Sequence, residues 1–195
     1  VIRRALAFLA LGLATVPSLA QGPVEAGRAE IERNPALAYS LFRRAAESGD
    51  PEGIAALAQA HEAGIGVAKD PVQARKLYLE AADKGHGEAA YKAGLMLRRG
   101  VGGPPDPAAS TARLRQAAER GHGLAQARLG VDYLEGSGVA RDPVEAYVWL
   151  SLAGEQGVSA ALAQRRRAET ELDPTARARA EAALAARRDL TRKSN

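Results

Sequence analysis

The chain repeats itself every 36 residues. Gly64, Gly100 and Gly136 share one phase, and Gly66, Gly102 and Gly138 follow two residues on. Asp70, Asp106 and Asp142 align, as do Pro35, Pro71, Pro107 and Pro143, then Gly49, Gly85, Gly121 and Gly157. A fixed period of this length marks stacked units that share one continuous core, since a single unit cannot bury its own apolar face. Composition says what the unit is made of. Apolar residues make up 46% of the 195 residues but aromatics only 4%. Alanine predominates, which favours closely packed helices, and alternating Val/Ile runs are missing. The fold class is therefore all-α, a solenoid of stacked helix pairs.

The most site-like string is GIGVAKDP, Gly64 to Pro71. A phosphate-cradling loop follows a strand and closes on Lys and Ser/Thr at a helix start. Here the string has sisters, GVGGPPDP from Gly100 and GSGVARDP from Gly136, and ends in Asp-Pro. It is a turn. Gly64 takes the left-handed conformation past a helix end, and Gly66 lets the chain pass close to a neighbour. Asp70 caps the next helix and Pro71 occupies its first position, where a missing N–H costs nothing. Each unit then holds helix A (52–63, 88–99, 124–135) and helix B (71–84, 107–120, 143–156). Helix B stops at Gly85, Gly121 or Gly157.

Two apolar faces follow. In helix A, Gly53, Leu57 and Ala58 recur as Ala89, Ala93 and Gly94, then as Ala125, Leu129 and Gly130. In helix B, Ala74, Leu77, Tyr78 and Ala81 recur as Ser110, Arg113, Leu114 and Ala117, then as Ala146, Trp149, Leu150 and Ala153. These spacings keep each set on one helix face. Arg113 breaks the row and is expected to pack its stem while its head reaches water.

The pattern at Ala125, Leu129, Gly130, Tyr133, Gly136, Gly138, Val139, Asp142, Ala146, Trp149, Ala153 and Gly157 resembles the Sel1-like repeat family, relatives of tetratricopeptide repeats. The resemblance covers about 35–159, divided 35–51, 52–87, 88–123 and 124–159, or about three and a half repeats. It weakens in the middle copy, where Leu97, Gly103-Pro104-Pro105 and Arg113 replace the usual residues. His61 takes the place of Tyr133 in the earlier copy. The first unit is expected to have helix B alone, with 21–34 a linker or cap. Residues 160–195 are expected to form a capping helix pair with a basic tail, the second helix starting at Asp173-Pro174.

The first twenty residues, VIRRALAFLALGLATVPSLA, pair two arginines with a short apolar run, a proline and small residues. That is the pattern of a secretory signal peptide cleaved after Ala20. An uncleaved anchor is the alternative, but the run is shorter than the roughly 20 residues a spanning helix needs. There is no cysteine, hence no disulfide and no lipid-anchored cysteine. The expected location is periplasmic or secreted. Without Arg3 and Arg4 the charge balance is 25 Lys+Arg against 23 Asp+Glu. Residues 163–195 hold nine basic against five acidic residues, so 21–162 is slightly acidic. A nucleic-acid stripe is not expected.

No catalytic, cofactor or metal constellation emerges. His86 and His122 are read as turn residues one period apart, and His61 as a packed core histidine. None of the serines sits in a nucleophile elbow. The resemblance implies a non-catalytic, monomeric adaptor or regulator of the cell envelope that binds a protein or peptide on the concave face lined by the A helices. By analogy with tetratricopeptide repeats, that groove takes Gln59, Glu62, Tyr91, Leu95, Arg98, Val131 and Leu134. Lys92 and Arg99 beside it suit a carboxylate-bearing peptide. Two alternatives stand. A peptidoglycan- or polysaccharide-binding module requires exposed aromatic platforms. A hydrolase of cell-wall peptides or β-lactams requires a nucleophile with a base in reach, near Ser110 or Ser137.

Overall fold

The computed structural model describes residues 22–193. The expected signal segment and its cleavage point lie outside them. Ten helices and no strand occur among the described residues: α1 (Pro23–Glu30), α2 (Pro35–Glu47), α3 (Pro51–Ala63), α4 (Pro71–Asp83), α5 (Gly87–Arg99), α6 (Pro107–Glu119), α7 (Gly123–Glu135), α8 (Pro143–Glu155), α9 (Ser159–Thr170) and α10 (Pro174–Lys193). Odd-numbered helices are the A helices and even-numbered ones the B helices. From α1 to α8 each helix packs on its own partner and on the next unit, while α9 and α10 both pack on α8, so the chain is a solenoid of helix pairs. No described helix is long and apolar enough to cross a membrane.

The turn chemistry is as the period implies. Gly64, Gly100 and Gly136 close α3, α5 and α7 at φ 81°, 69° and 70°. Asp70, Asp106 and Asp142 each accept a backbone N–H at 2.9 Å at the start of α4, α6 and α8. Such caps contribute about 1 kcal/mol each. The second glycine of each turn does more than bend. Gly66, Gly102 and Gly138 lie against the carbonyls of Pro35, Pro71 and Pro107, the first residues of the preceding B helix. Repeats thus meet backbone to backbone at that turn.

Inside each pair, Gly94 and Gly130 let α5 and α7 sit against Leu114 and Leu150. Ala58, Ala74, Ala81, Ala93, Ala117, Ala125, Ala146 and Ala153 have no exposed surface. Alanine rather than bulk sets the helix spacing, as composition suggested. Arg113 crosses to Asp83 and donates to Gln116 at 3.2 Å, so its head is tied to the previous unit rather than left in water.

The N-terminal end differs from expectation. The first unit has an A helix after all. The eight-residue α1 packs on α2 and buries Val24, while Gly27 leaves room for Phe42. Residues 21–34 were expected to lack one because the counterpart of a full helix would run into the apolar leader. A shortened helix fits in the space that remains. At the other end α10 packs chiefly on α8. Ala180 and Leu184 join Tyr147, Leu150, Ala161 and Ala168 in one cluster, and Arg187 stacks over Trp149 at 4.2 Å.

Candidate functional site

The A-helix face carries the candidate site, and it is built from ties between successive A helices. His86 caps α5: its Nδ1 accepts the Ala89 N–H at 3.0 Å. That fixes the proton on Nε2, which donates to Glu52 of α3 at 2.7 Å. The arrangement recurs one repeat later. His122 caps α7 by accepting from Ala125 at 3.1 Å, and its Nε2 donates to Glu88 of α5 at 2.6 Å. Arg28 of α1 also pairs with Glu52. Burial works to raise the Glu52 carboxyl, but hydrogen bonds from His86 and Arg28 outweigh it and hold it below the ordinary value. Both nitrogens of each imidazole are spent, so neither ring is an available general base.

A second tie lies near the C-terminal ends of α5 and α7. Arg98 pairs with Asp132, whose side chain is fully buried, and donates to Ser137 Oγ at 3.1 Å. Thr111 donates to the same carboxylate at 3.2 Å. Burial raises the Asp132 carboxyl, and Arg98, Arg128 and Thr111 oppose that rise. The corresponding core positions are Ala60, Met96 and Ala168, all buried and uncharged.

Beside the Glu52–His86 tie lies open space. A cavity of about 520 Å³ is bounded by α1, α3, α4 and α5. Its floor is Ala55, Ala56 and Ala89, and Gln59 and Lys92 stand at its sides. Lys92 has no ion-pair partner among the described residues.

The sequence matches the Sel1 repeat family over 20–50, 51–86, 87–122 and 123–158. The chain belongs to the Sel1 repeat family. Its fold is similar to that of a Sel1 repeat protein from Oxalobacter formigenes, at 28% identity and TM-score 0.69, covering 74% of this chain and 43% of that one. A protective antigen of uropathogenic Escherichia coli strains displaying an SLR fold aligns at 24% identity and TM-score 0.58 over 85% of this chain and 44% of its own. The chain thus spans less than half the length of either relative. No curated protein is significantly similar to it. The first family match includes α1 and so agrees with an A helix in the first Sel1 repeat.

The expected groove residues divide. Gln59 is exposed and lines the cavity, and Leu95 is half-buried on the same face. Glu62 turns to its own B helix and accepts from Tyr78 Oη at 2.7 Å. Burial, and then that carboxylate, push the Tyr78 phenol above its ordinary value. Tyr91 stacks on His122 with ring centroids 4.4 Å apart. Arg98 is held by Asp132, and Val131 leans on the C-terminal cluster. Leu134 is not a groove residue. It is 1% exposed, because the cluster formed by α8, α9 and α10 closes over it. His61 is buried edge-on to Tyr39, the packed role its sequence position implies.

Three features escaped the sequence reading. The Glu–His pairs had a signal, since Glu52 to His86 and Glu88 to His122 share a spacing of 34 residues. Asp132 had one too, a lone carboxylate in an apolar slot. Leu124, 52% exposed where the two preceding Sel1 repeats carry Glu52 and Glu88, is an apolar residue facing solvent. Ser110 and Ser137, considered as nucleophiles, are engaged otherwise: Ser110 donates to the Gly94 carbonyl at 2.8 Å, and Ser137 accepts from Arg98. Trp149 is 4% exposed and donates to Glu145 at 3.0 Å, so it offers no platform for a sugar ring.

Proposed function

We propose that this Sel1 repeat chain is a non-catalytic scaffold of the bacterial cell envelope that binds a protein or peptide along its A-helix face. The observation that carries this reading is how the polar groups of that face are used. They tie α3 to α5 at the amino-terminal ends and α5 to α7 at both ends, which leaves a rigid surface open around Gln59, Lys92 and Leu95, with exposed Leu124 in the first turn of α7. A preorganised surface of this kind favours recognition, because little side-chain freedom is lost on binding. Export rests on the basic, then apolar, first twenty residues.

The test is a cross-linking capture from envelope extract. The bait is the chain beginning at Gln21, beside a Leu95→Asp, Leu124→Glu variant. Glutamate already stands at the equivalents of Leu124, so the second change is compatible with the fold. Circular dichroism of the variant should match that of the parent. A partner held by the parent and lost by the folded variant supports the reading. A partner held equally by both places the interaction elsewhere and refutes it. Amino-terminal sequencing of protein recovered from the periplasm checks cleavage after Ala20.

A further inference from the structure

The geometry points to an aromatic anchor: the cavity lined by α3 and α5 receives one tyrosine side chain of the partner, stacked on the face of His86. The inference rests on the scaffold reading and adds the group that the partner must carry.

The next repeat shows the same arrangement already filled. There Tyr91 of α5 stacks on His122, the cap of α7, with ring centroids 4.4 Å apart and ring planes 27° from parallel. One period earlier the histidine is kept and the tyrosine is lost. His86 caps α5, but the position of Tyr91 holds Ala55. The position of Lys92 likewise holds Ala56. Two large side chains of the later joint are thus cut back to methyl groups, and both alanines and His86 line the cavity of about 520 Å³. Sites for small organic groups span about 300–1,000 Å³. Among the described residues this combination occurs at one joint. Between α7 and α9 the tyrosine position holds Ala127 but Val158 replaces the histidine, and α3 is capped by Asp50.

His86 is fixed for this role. Its Nδ1 accepts the Ala89 N–H at 3.0 Å and its Nε2 donates to Glu52 at 2.7 Å. Both edges of the ring are held, so its faces are what it has left to offer, and the side chain remains partly exposed. Flat rings gain from offset stacking beyond the area they bury, which an aliphatic side chain does not. The alanine floor suits the apolar body of a ring. Gln59 and Lys92 at the sides carry N–H donors for a phenol oxygen, which favours tyrosine over phenylalanine.

Uncharged probes separate the ring from any carboxylate. The full chain is titrated with N-acetyl-tyrosinamide, N-acetyl-phenylalaninamide and N-acetyl-leucinamide while its amide and imidazole NMR signals are followed. The tyrosine probe should give saturable ring-current shifts at Ala55, His86 and Ala89. The phenylalanine probe should bind more weakly and the leucine probe not at all. Ala55→Tyr supplies the missing ring from the chain itself, so it should bind no probe, lose partner capture and melt no lower than the parent. His86→Asn removes the ring but keeps a cap, since Asn34 already caps α2 by accepting from Leu37 at 3.1 Å. That variant should fold and bind the tyrosine probe several-fold more weakly. Leucine bound as well as tyrosine, binding unchanged in either variant, a lower melting temperature in Ala55→Tyr, or a partner still captured by it overturns the inference. If any of these comes while Leu95→Asp, Leu124→Glu still abolishes partner capture, the aromatic anchor is wrong and the scaffold face stands. If capture is also unaffected, both fall.

Discussion

Gly136 and Gly138 sit two residues apart in one turn, at φ 70° and 71°. Alanine at either position meets the same left-handed penalty, about 1–2 kcal/mol. Their surroundings differ. A Cβ on Gly136 finds its nearest neighbour, Arg141 Cβ, at 3.6 Å, an ordinary contact. A Cβ on Gly138 finds the carbonyl carbon of Pro107 at 2.5 Å and Thr111 Oγ1 at 2.7 Å. Backbone cannot rotate away as a side chain can, so the fourth repeat must lift off the third. Overpacking of that kind costs about 1–3 kcal/mol more. Gly136→Ala should therefore lose about 1–2 kcal/mol and Gly138→Ala about 2–5 kcal/mol. Urea titration by far-ultraviolet circular dichroism measures both. Arrays of repeats can lose two-state cooperativity, so hydrogen exchange at Thr111 and Ser137 should accompany it, with faster exchange in Gly138→Ala alone. Equal losses within about 0.5 kcal/mol would refute the view that this glycine exists to let repeats touch.

Other outcomes follow from the ties between helices. Asp132→Met restores the apolar residue found at Met96 but strands Arg98, so it should cost about 3–5 kcal/mol. Adding Arg98→Leu should recover most of that loss in a double-mutant cycle. Because burial raises the Asp132 carboxyl, its ionisation opposes folding, and that penalty grows as pH rises from its unfolded value through its raised folded value. The double variant should lack this pH dependence in denaturation midpoints. Glu52 has the opposite sign: its folded value is lowered, so its stabilisation is complete above about pH 4.3 and is lost as pH falls through the folded value. Glu52→Gln should flatten the acid limb of the stability curve, which acid titration by circular dichroism reads directly.

Much of the solenoid could be read from the chain because its physics is local. A left-handed glycine, an Asp cap and a proline at the first helical position act within a few residues, so the period alone placed the helices near their observed bounds. The face that binds was less legible. Whether Leu134 is covered depends on how α8 and α9, later in the chain, pack against α7. Transfer by analogy also assumed that every repeat presents the same positions. Yet Glu62 bonds to its own B helix, Arg98 bonds to the next A helix, and Leu134 is core. One slot has three fates because each side chain finds a different partner. Hydrophobic periodicity sees Asp132 only as an error, since its warrant, Arg98, lies 34 residues upstream. The same interval joins each Glu–His pair, so a search for polar residues at one fixed long spacing would have found all three ties.

The ladder of Glu–His ties stops where the chain changes, and that makes it testable by extension. Positions equivalent to Glu88 and His122 in the next step are Leu124 and Val158. Val158 precedes α9 with φ −76° and ψ 89°, close to the −72° and 104° of His122, yet caps nothing with its side chain. Val158→His should accept an N–H of α9 and add about 1 kcal/mol, the usual value of a cap. Leu124→Glu on top should add less, since an exposed pair contributes about 0–1 kcal/mol. Thermal unfolding of the two variants measures the steps separately. If Val158→His gains nothing, the histidines act by stacking on residues such as Tyr91 and not as caps, and the rigidity attributed to this face needs another source. If it gains and Leu124→Glu also abolishes partner capture, one substitution will have lengthened the polar ladder while closing the apolar gap through which the scaffold binds.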